Sequence, residues 1–517
     1  MSAENELPAS WATARLDEVC IINARGFTPV VSGDDQPVAF VPMAAVVEEF
    51  GGIDVSATRP LGEVTKGYTA FVEGDVLFAK ITPCMENGKV AVVPPLSTHI
   101  GFGSTEFHVL RSAGAVEPKW VGYHLSQLQF RRAARQDMTG SAGQLRVQSS
   151  WLAGACIPVA PIAEQRRAIQ RIDELLSDLD AGVLELVTAK RKLSQYRQSL
   201  LKAAVEGALT AEWRARNPPQ ETGTELLARI LRERRARWEL RQLEKFAAQG
   251  KAPPKDWKQK YPEPASPSSD GPESNSEGWA WATLDQLSEF VTSGSRGWAE
   301  FYASEGATFI RSQNINTDSL KLLDVAFVNP PTGSEGARTR VQRDDLLLTI
   351  TGANVGKSAL VDTDIAESYV SQHVALIRPV DCAYSRYLHA YLVAEAGGRG
   401  LLNRLAYGAG KPGLNLEQVA AVAVPLPSAA ELPALMSELS AQLDRMNELV
   451  SEIQLLCRTA AAQRQNILRA AFAGQLVPQD PADEPASALL ARIRAERAQR
   501  PAAAKRMRRS SPQPATP

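Results

Sequence analysis

The segment Thr351-Gly352-Ala353-Asn354-Val355-Gly356-Lys357-Ser358 follows a short apolar run and approaches a phosphate-binding loop. Such a loop wraps backbone N–H groups around phosphates and needs four residues between its glycines. Here three residues separate Gly352 from Gly356, so nucleotide binding is not expected. Asn217-Pro218-Pro219-Gln220 and Asn329-Pro330-Pro331-Thr332 approach the Asn-Pro-Pro-aromatic motif of enzymes that methylate an amino group. That motif uses an aromatic ring to stack on a flipped base, and neither copy carries one. The histidines (His99, His108, His124, His373, His389) lack metal-ligand spacing; His124 and His389 lie on apolar helical stretches, where core or half-buried positions are expected. The five cysteines form no Cys-x-x-Cys pair, and no Gly-x-Ser-x-Gly elbow occurs. The sequence gives no positive sign of catalysis or of a bound metal.

What remains is recognition chemistry. Glycine-rich loops carry basic and amide side chains: Lys80, Asn87 and Lys89, then Gln144 and Arg146; further on Arg296, then Arg311, Gln313, Asn314 and Asn316, then Asn354 and Lys357, and finally Lys411. Arginine and lysine suit guanine edges and phosphates, and asparagine and glutamine suit adenine edges. Glycine lets backbone come close to a groove. The pattern points to double-stranded DNA as partner, although the net charge is only -1. A net charge averages over regions and does not exclude a local basic surface.

The elements that must carry these loops are legible from periodicity. Apolar runs such as Val76-Leu77-Phe78-Ala79 and Leu346-Leu347-Leu348-Thr349-Ile350, broken by Gly and Pro, predict mixed α/β (α+β) domains over 1–160 and 278–428. Two helical regions follow, 161–248 and 429–500. In the first, Ile172, Leu179, Leu186, Leu193 and Leu200 recur every seven residues; in the second, Leu439, Met446, Ile453, Ala460 and Ile467 do the same. A sustained heptad means coiled-coil packing. Each helix would run about 40 residues, or about 60 Å, and pairing the two with each other is the simplest way to cover both seams. Pro and Ser density makes 249–277 a linker, Arg229 to Lys245 reads as a solvated basic helix face, and 501–517 reads as a disordered basic tail. The acidic, polar N-terminus is unlike a signal peptide, and no apolar run has membrane-spanning length. A cytoplasmic protein without membrane contact is expected, in keeping with its dispersed thiols.

The chain also repeats itself. Trp11-Ala12-Thr13 with Leu16-Asp17 matches Trp281-Ala282-Thr283-Leu284-Asp285; Cys156-Ile157-Pro158-Val159 matches Ala423-Val424-Pro425-Leu426; Gln198-Ser199-Leu200-Leu201-Lys202-Ala203-Ala204 matches Gln465-Asn466-Ile467-Leu468-Arg469-Ala470-Ala471. Leu226-Leu227-Ala228-Arg229-Ile230 matches Leu489-Leu490-Ala491-Arg492-Ile493. A constant interval of about 267 residues marks a domain duplication, not a solenoid. Antiparallel pairing of the two helices would relate the copies by an approximate two-fold axis.

Phe78-Ala79-Lys80-Ile81-Thr82-Pro83-Cys84-Met85-Glu86-Asn87-Gly88-Lys89, Gly103-Ser104-Thr105-Glu106-Phe107-His108-Val109-Leu110, Pro161-Ile162-Ala163-Glu164-Gln165-Arg166-Arg167 and Gly410-Lys411-Pro412-Gly413-Leu414-Asn415 resemble signature stretches of type I restriction–modification specificity subunits. The likeness runs through both copies in order. One departure is Ser428-Ala429-Ala430-Glu431-Leu432, which lacks the Gln-Arg-Arg that follows Glu164. The resemblance implies two target-recognition domains, each reading half of a split DNA site, and a coiled coil that spaces them. It also implies a non-catalytic subunit that joins two modification (methyltransferase) subunits and motor–nuclease restriction subunits. S-adenosylmethionine, ATP and Mg2+ would belong to those partners, with no cofactor in this chain.

Overall fold

The computed structural model describes residues 7–24, 33–141, 143–267, 276–294, 297–330, 334–406 and 412–499. The chain forms two compact units, one of residues 1–186 with 454–517, the other of residues 187–453.

In the first unit an antiparallel sheet runs Cys20–Ile22, Phe107–Ser112, Val76–Ala79, Val90–Val92. A second sheet runs Thr58–Pro60, Pro37–Val41, Ile100–Gly103, Thr69–Val72, with its two middle strands parallel. The run Val76-Leu77-Phe78-Ala79 is apolar throughout because the strand is covered on both faces. Val76 and Phe78 face one core cluster, and Leu77 and Ala79 face another, as the two-residue period requires. The second unit repeats the plan. Its antiparallel sheet runs Ser288–Ser293, Val374–Pro379, Leu346–Thr349, Ser358–Leu360, and Leu346 and Leu348 face one cluster while Leu347 faces the other. Its second sheet runs Tyr302–Ala303, Ala326–Val328, Ala307–Ile310, Ser368–Val370; it keeps a parallel pair, Ala307–Ile310 with Ser368–Val370, but at one edge instead of in the middle.

Polar contacts repeat too. The Arg111 guanidinium grips the fully buried Asp75 at 2.6 and 2.7 Å, and Arg378 grips Asp345 at 2.7 and 2.8 Å. Trp120 Nε1 donates to Pro158 O and His124 Nε2 lies 3.0 Å from Cys156 O; at the equivalent places Tyr387 donates to Pro425 O and Tyr391 to Ala423 O. Burial lowers the His124 pKa to about 4, so the ring is neutral and serves as a tether. His389 is half-buried.

The strand register corrects one alignment drawn from sequence. Ala12 pairs with Val159 and Ala280 with Leu426, so the counterpart of Trp11 is Trp279, not Trp281. Both Trp11 and Trp279 are buried and both are followed by the pairing strand. With this pairing the two copies have the same length from the tryptophan to the Leu-Asp that follows, and Trp281 takes the place of Thr13.

The first long helix is Ile162–Val205, of 44 residues, and the second is Leu432–Phe472, of 41. In the first unit Ile172 and Leu176 share a core with Ile467, Leu468 and Phe472. In the second unit Leu200 and Leu201 share one with Leu432, Leu435, Leu439 and Met446. The start of each helix therefore packs on the end of the other, which is antiparallel pairing. Of the expected seam, Ile172, Leu200, Leu439, Met446, Ile453 and Ile467 are buried; Leu179, Leu186, Leu193 and Ala460 are half-buried. In the first helix burial is tightest towards the ends, at Ile172 and Leu200, with Leu179, Leu186 and Leu193 between them half-buried.

Each unit is closed by a helix that docks on its first strand. In the second unit it is Gly223–Ala248, whose Gly223 N–H donates to Gly278 O and whose Leu226 and Ile230 are buried. In the first unit it is Ala486–Gln499, whose Ala486 N–H donates to Ser10 O and whose Leu490 and Ile493 are buried. Much of the expected solvated basic face is spent internally. Arg234 is buried against Asp285, Ser288 O and Tyr261, and Arg237 and Arg241 flank Glu289. The proline- and serine-rich stretch after this helix, read from composition as a linker, folds back over it as far as residue 267. Trp257 stacks on Trp238 and Ala265 N–H donates to Asp285. Residues 268–275 and the basic tail at 501–517 lie outside the described residues.

The buried ion pairs yield one stability prediction. Arg378→Ala should cost about 3–5 kcal/mol, because it leaves the Asp345 carboxylate buried and unpaired. Burial already pushes this carboxyl's pKa up against the pull of Arg378. Without Arg378 it rises further, so the deficit should grow as pH rises above the ordinary Asp range and shrink as pH falls towards it. Denaturant unfolding at two pH values measures both.

Candidate nucleic-acid interface

In each unit three stretches far apart in sequence meet at the end of the central strand. In the first unit the strand Val76–Ala79 runs into a loop, 80–89. On one side of it lies the hairpin Thr139–Ser141 with Gln144–Arg146. Thr82 N–H donates to Leu145 O (3.0 Å), Thr82 Oγ1 donates to Gly143 O (3.2 Å), and Val147 N–H donates to Lys80 O (2.8 Å). On the other side lies an excursion, 42–53, between strands of the second sheet. Phe50 N–H donates to Gly88 O (3.3 Å), Asn87 Nδ2 to Glu48 (2.7 Å) and Lys89 Nζ to Met43 O (3.1 Å).

The second unit matches piece by piece. Its loop, 350–357, is flanked by Pro412-Gly413-Leu414, where Gly352 N–H donates to Pro412 O and Leu414 N–H to Ile350 O. Its excursion, 311–321, meets the loop where Asn354 Nδ2 donates to Ser312 O (3.3 Å) and Lys357 Nζ to Asn316 Oδ1 (3.3 Å). Gly88-Lys89 and Gly356-Lys357 occupy the same place, each glycine at positive φ (70° and 82°) just before a strand. A Cβ on Gly88 would lie 2.9 Å from Arg131 Nη1. Lys357-Ser358 thus enters an antiparallel strand and does not open a helix, which is not the setting of a phosphate-binding loop.

The recognition residues read from sequence are therefore brought together, but they are not equally available. Gln144 and Gln313 are exposed, as are Asn87 and Asn316, each of which keeps one internal partner. Lys80, Lys89 and Lys357 are half-buried. Arg146 is held by Glu106 through a bidentate pair of 3.0 Å bonds, and the guanidinium holds that carboxyl below the usual carboxylate range. Asn354 is half-buried, and Arg311 reaches Asp324 O at 3.5 Å. Asn314 must be withdrawn as a base reader. It is buried, its Oδ1 accepts from Arg311 N–H, and its Nδ2 donates to Lys321 O and Asp324 O. Its amide closes the excursion: both Nδ2 protons are spent there, and burial keeps the oxygen from a base edge. Arg296 and Lys411 lie outside the described residues.

Sequence reasoning missed the groups that hold the excursions. Arg131, on the helix Leu128–Gln136, donates to Glu49 Oε1 (2.8 Å) and Glu86 O (2.6 Å). Arg399, on the helix Gly398–Leu405, pairs with Asp318. Both helices are tied to the long helices at or just before their own start: Leu128 N–H donates to Gln465 Oε1, and Glu395 N–H, on the turn before Gly398, donates to Gln198 Oε1. That contact explains why Gln198 and Gln465 head the clearest sequence match. Among the described residues no group of three or more His, Cys, Asp or Glu is placed to hold a metal ion, and no helix is long and apolar enough to cross a membrane.

Fold and site define a duplicated recognition protein, with polar loops presented by each unit and a shared antiparallel helix pair. No family model matches the chain. It is 27% identical over 494 residues to the specificity subunit of the type I restriction enzyme EcoAI of Escherichia coli, covering 86% of this chain and 79% of that one. It is 26% identical over 424 residues to the EcoEI specificity subunit of Escherichia coli, covering 71% and 66%. A chain solved in work on complex assembly and conformational transition of a type I restriction–modification system shares the fold, with a TM-score of 0.64 at 18% identity over 91% of this chain and 99% of that one. Over most of its length the chain is similar to type I restriction enzyme specificity subunits.

Proposed function

We propose that this subunit reads a bipartite, asymmetric DNA site, one half through each unit, and carries no chemistry of its own. The observation that supports this most is the duplicated meeting of an excursion and a loop at the end of the central strand, built on the same strands but with different side chains. Gln144 and Asn87 in one unit, and Gln313 and Asn316 in the other, offer amide donors and acceptors for base edges, while the lysines suit phosphates. Different side chains on one scaffold imply different half-sites.

The methyl donor S-adenosylmethionine, and the ATP and Mg2+ used in cleavage, would be bound by partner subunits. Modification subunits dock on the helical regions, and a restriction subunit joins that assembly. The purified chain should therefore turn over neither S-adenosylmethionine nor ATP, and should not cut DNA. Adenine methylation should appear only when the modification subunit is added. Transfer of labelled methyl groups to DNA by the lone chain, above the level of a heat-treated control, would overturn this reading.

A further inference from the structure

We infer that Arg131 and Arg399 are positioning residues for DNA recognition: each clamps a bend that presents its own unit's excursion to the half-site. This rests on the DNA-reading function proposed above.

The argument starts from backbone conformation. In the first excursion Glu49 and Phe50 are consecutive non-glycine residues at positive φ (55° and 62°). In the second, Thr317 and Asp318 do the same (54° and 57°). L-residues seldom adopt this region, and a β-branched threonine is a particular outlier there. Two such residues in a row persist only where surroundings over-determine them, and strain of this kind collects at binding sites. Here the same device holds both bends. One residue of each positive-φ pair is acidic, and an arginine from the same helix of the repeat grips it.

Arg131 is nearly fully buried, and both arginines have a buried Nε without a hydrogen-bond partner. An aliphatic residue would fill this space without leaving a buried donor unpaired, so the clamp is not the cheapest way to pack the helix. Its effect lies at the bend. With Asp318 fixed, Asn316 and Thr317 stand exposed beside Lys357, and Asp318 also accepts the N–H of Ser358 at the end of the loop. In the first unit the clamp joins the excursion to the loop, because Arg131 also takes Glu86 O beside Asn87. The clamp therefore sets the spacing between excursion and loop, and with it the placing of the side chains that would meet base edges.

The test uses the full-length chain with its modification subunit and a pool of duplexes with a randomised centre, bound, recovered and sequenced. Wild type should enrich a motif in two halves. Arg399→Ala should flatten one half, with preferences there falling by about tenfold or more, and leave the other half intact. Arg131→Ala should do the reverse. Arg399→Lys, which keeps charge without the planar fork, should retain part of the lost preference. Circular dichroism checks folding. If Arg399→Ala does not fold, Asp318→Asn decides, since it weakens the clamp while keeping the shape. Unchanged preferences in a folded clamp variant, or equal loss in both halves, would overturn the inference while leaving the function standing. Enrichment of no motif by wild type would instead overturn the function on which it rests.

Discussion

Exchanging the second recognition segment, 278–428, for that of a relative will rewrite one half of the DNA target and leave the other half unchanged. The segment begins and ends on strands that pair with each other, Ala280–Thr283 with Ala423–Leu426, so the cut ends lie side by side. The sheets between them have their own cores. The structure also says where a careless exchange would fail. Asp285 and Ser288 O hold Arg234, and Glu289 lies between Arg237 and Arg241, all on the closing helix Gly223–Ala248. A donor lacking acids at 285 and 289 would leave Arg234 buried without its charge partner, a loss of about 3–5 kcal/mol. Junctions placed after Glu289 and before Ala423 keep these contacts. Sequencing methylated adenines genome-wide in hosts carrying parent and hybrid would display both targets. A change in both halves, or in neither, would contradict separate reading by the two units.

How far the sequence could be read is set by the range of the interactions involved. The central strands and both long helices were legible because a two-residue or seven-residue apolar period is a local record of what a segment is packed against. The duplication was legible because the closing helices and the Gln198 and Gln465 contacts repeat with their residues. The Trp11–Trp279 equivalence was not, since backbone register decides it and a second tryptophan, Trp281, offers a competing match of letters. Basic side chains were read by type, yet Arg146 and Arg234 find acids at Glu106 and Asp285 that no local pattern ties to them. Nor does composition distinguish a flexible linker from the strap that Trp257 and Tyr261 fasten to Trp238. The clamps were hidden for a further reason. Positive φ at Glu49, Phe50, Thr317 and Asp318 carries no glycine signal, and no local pattern ties Arg131 to Glu49 or Arg399 to Asp318.

Lengthening both long helices by one heptad will move the preferred spacing between the half-sites. Each unit takes part of each long helix, the division falling between Leu186 and Val187 in one and between Ile453 and Gln454 in the other. Seven residues inserted at those two points leave the contacts inside each unit intact. They also keep the seam in phase, because the apolar repeat is itself seven residues long. The added length is about 10 Å at 1.5 Å per residue, or about three base pairs at 3.4 Å each. Methylation by the assembled enzyme, measured on duplexes of graded spacer length, should therefore peak at a spacer longer by about that number. Rotation works against the gain. Three base pairs turn the duplex by about 100° at 10 to 10.5 pairs per turn, whereas a heptad rotates a helix face by only about 20°. The variant must twist its DNA to bring both half-sites into register, so its best rate should fall below that of the parent. Insertion into one helix alone shifts the two seams against each other and should abolish methylation at every spacer. A double-insertion variant that methylates well with its optimum unmoved would show that the helices do not set the spacing.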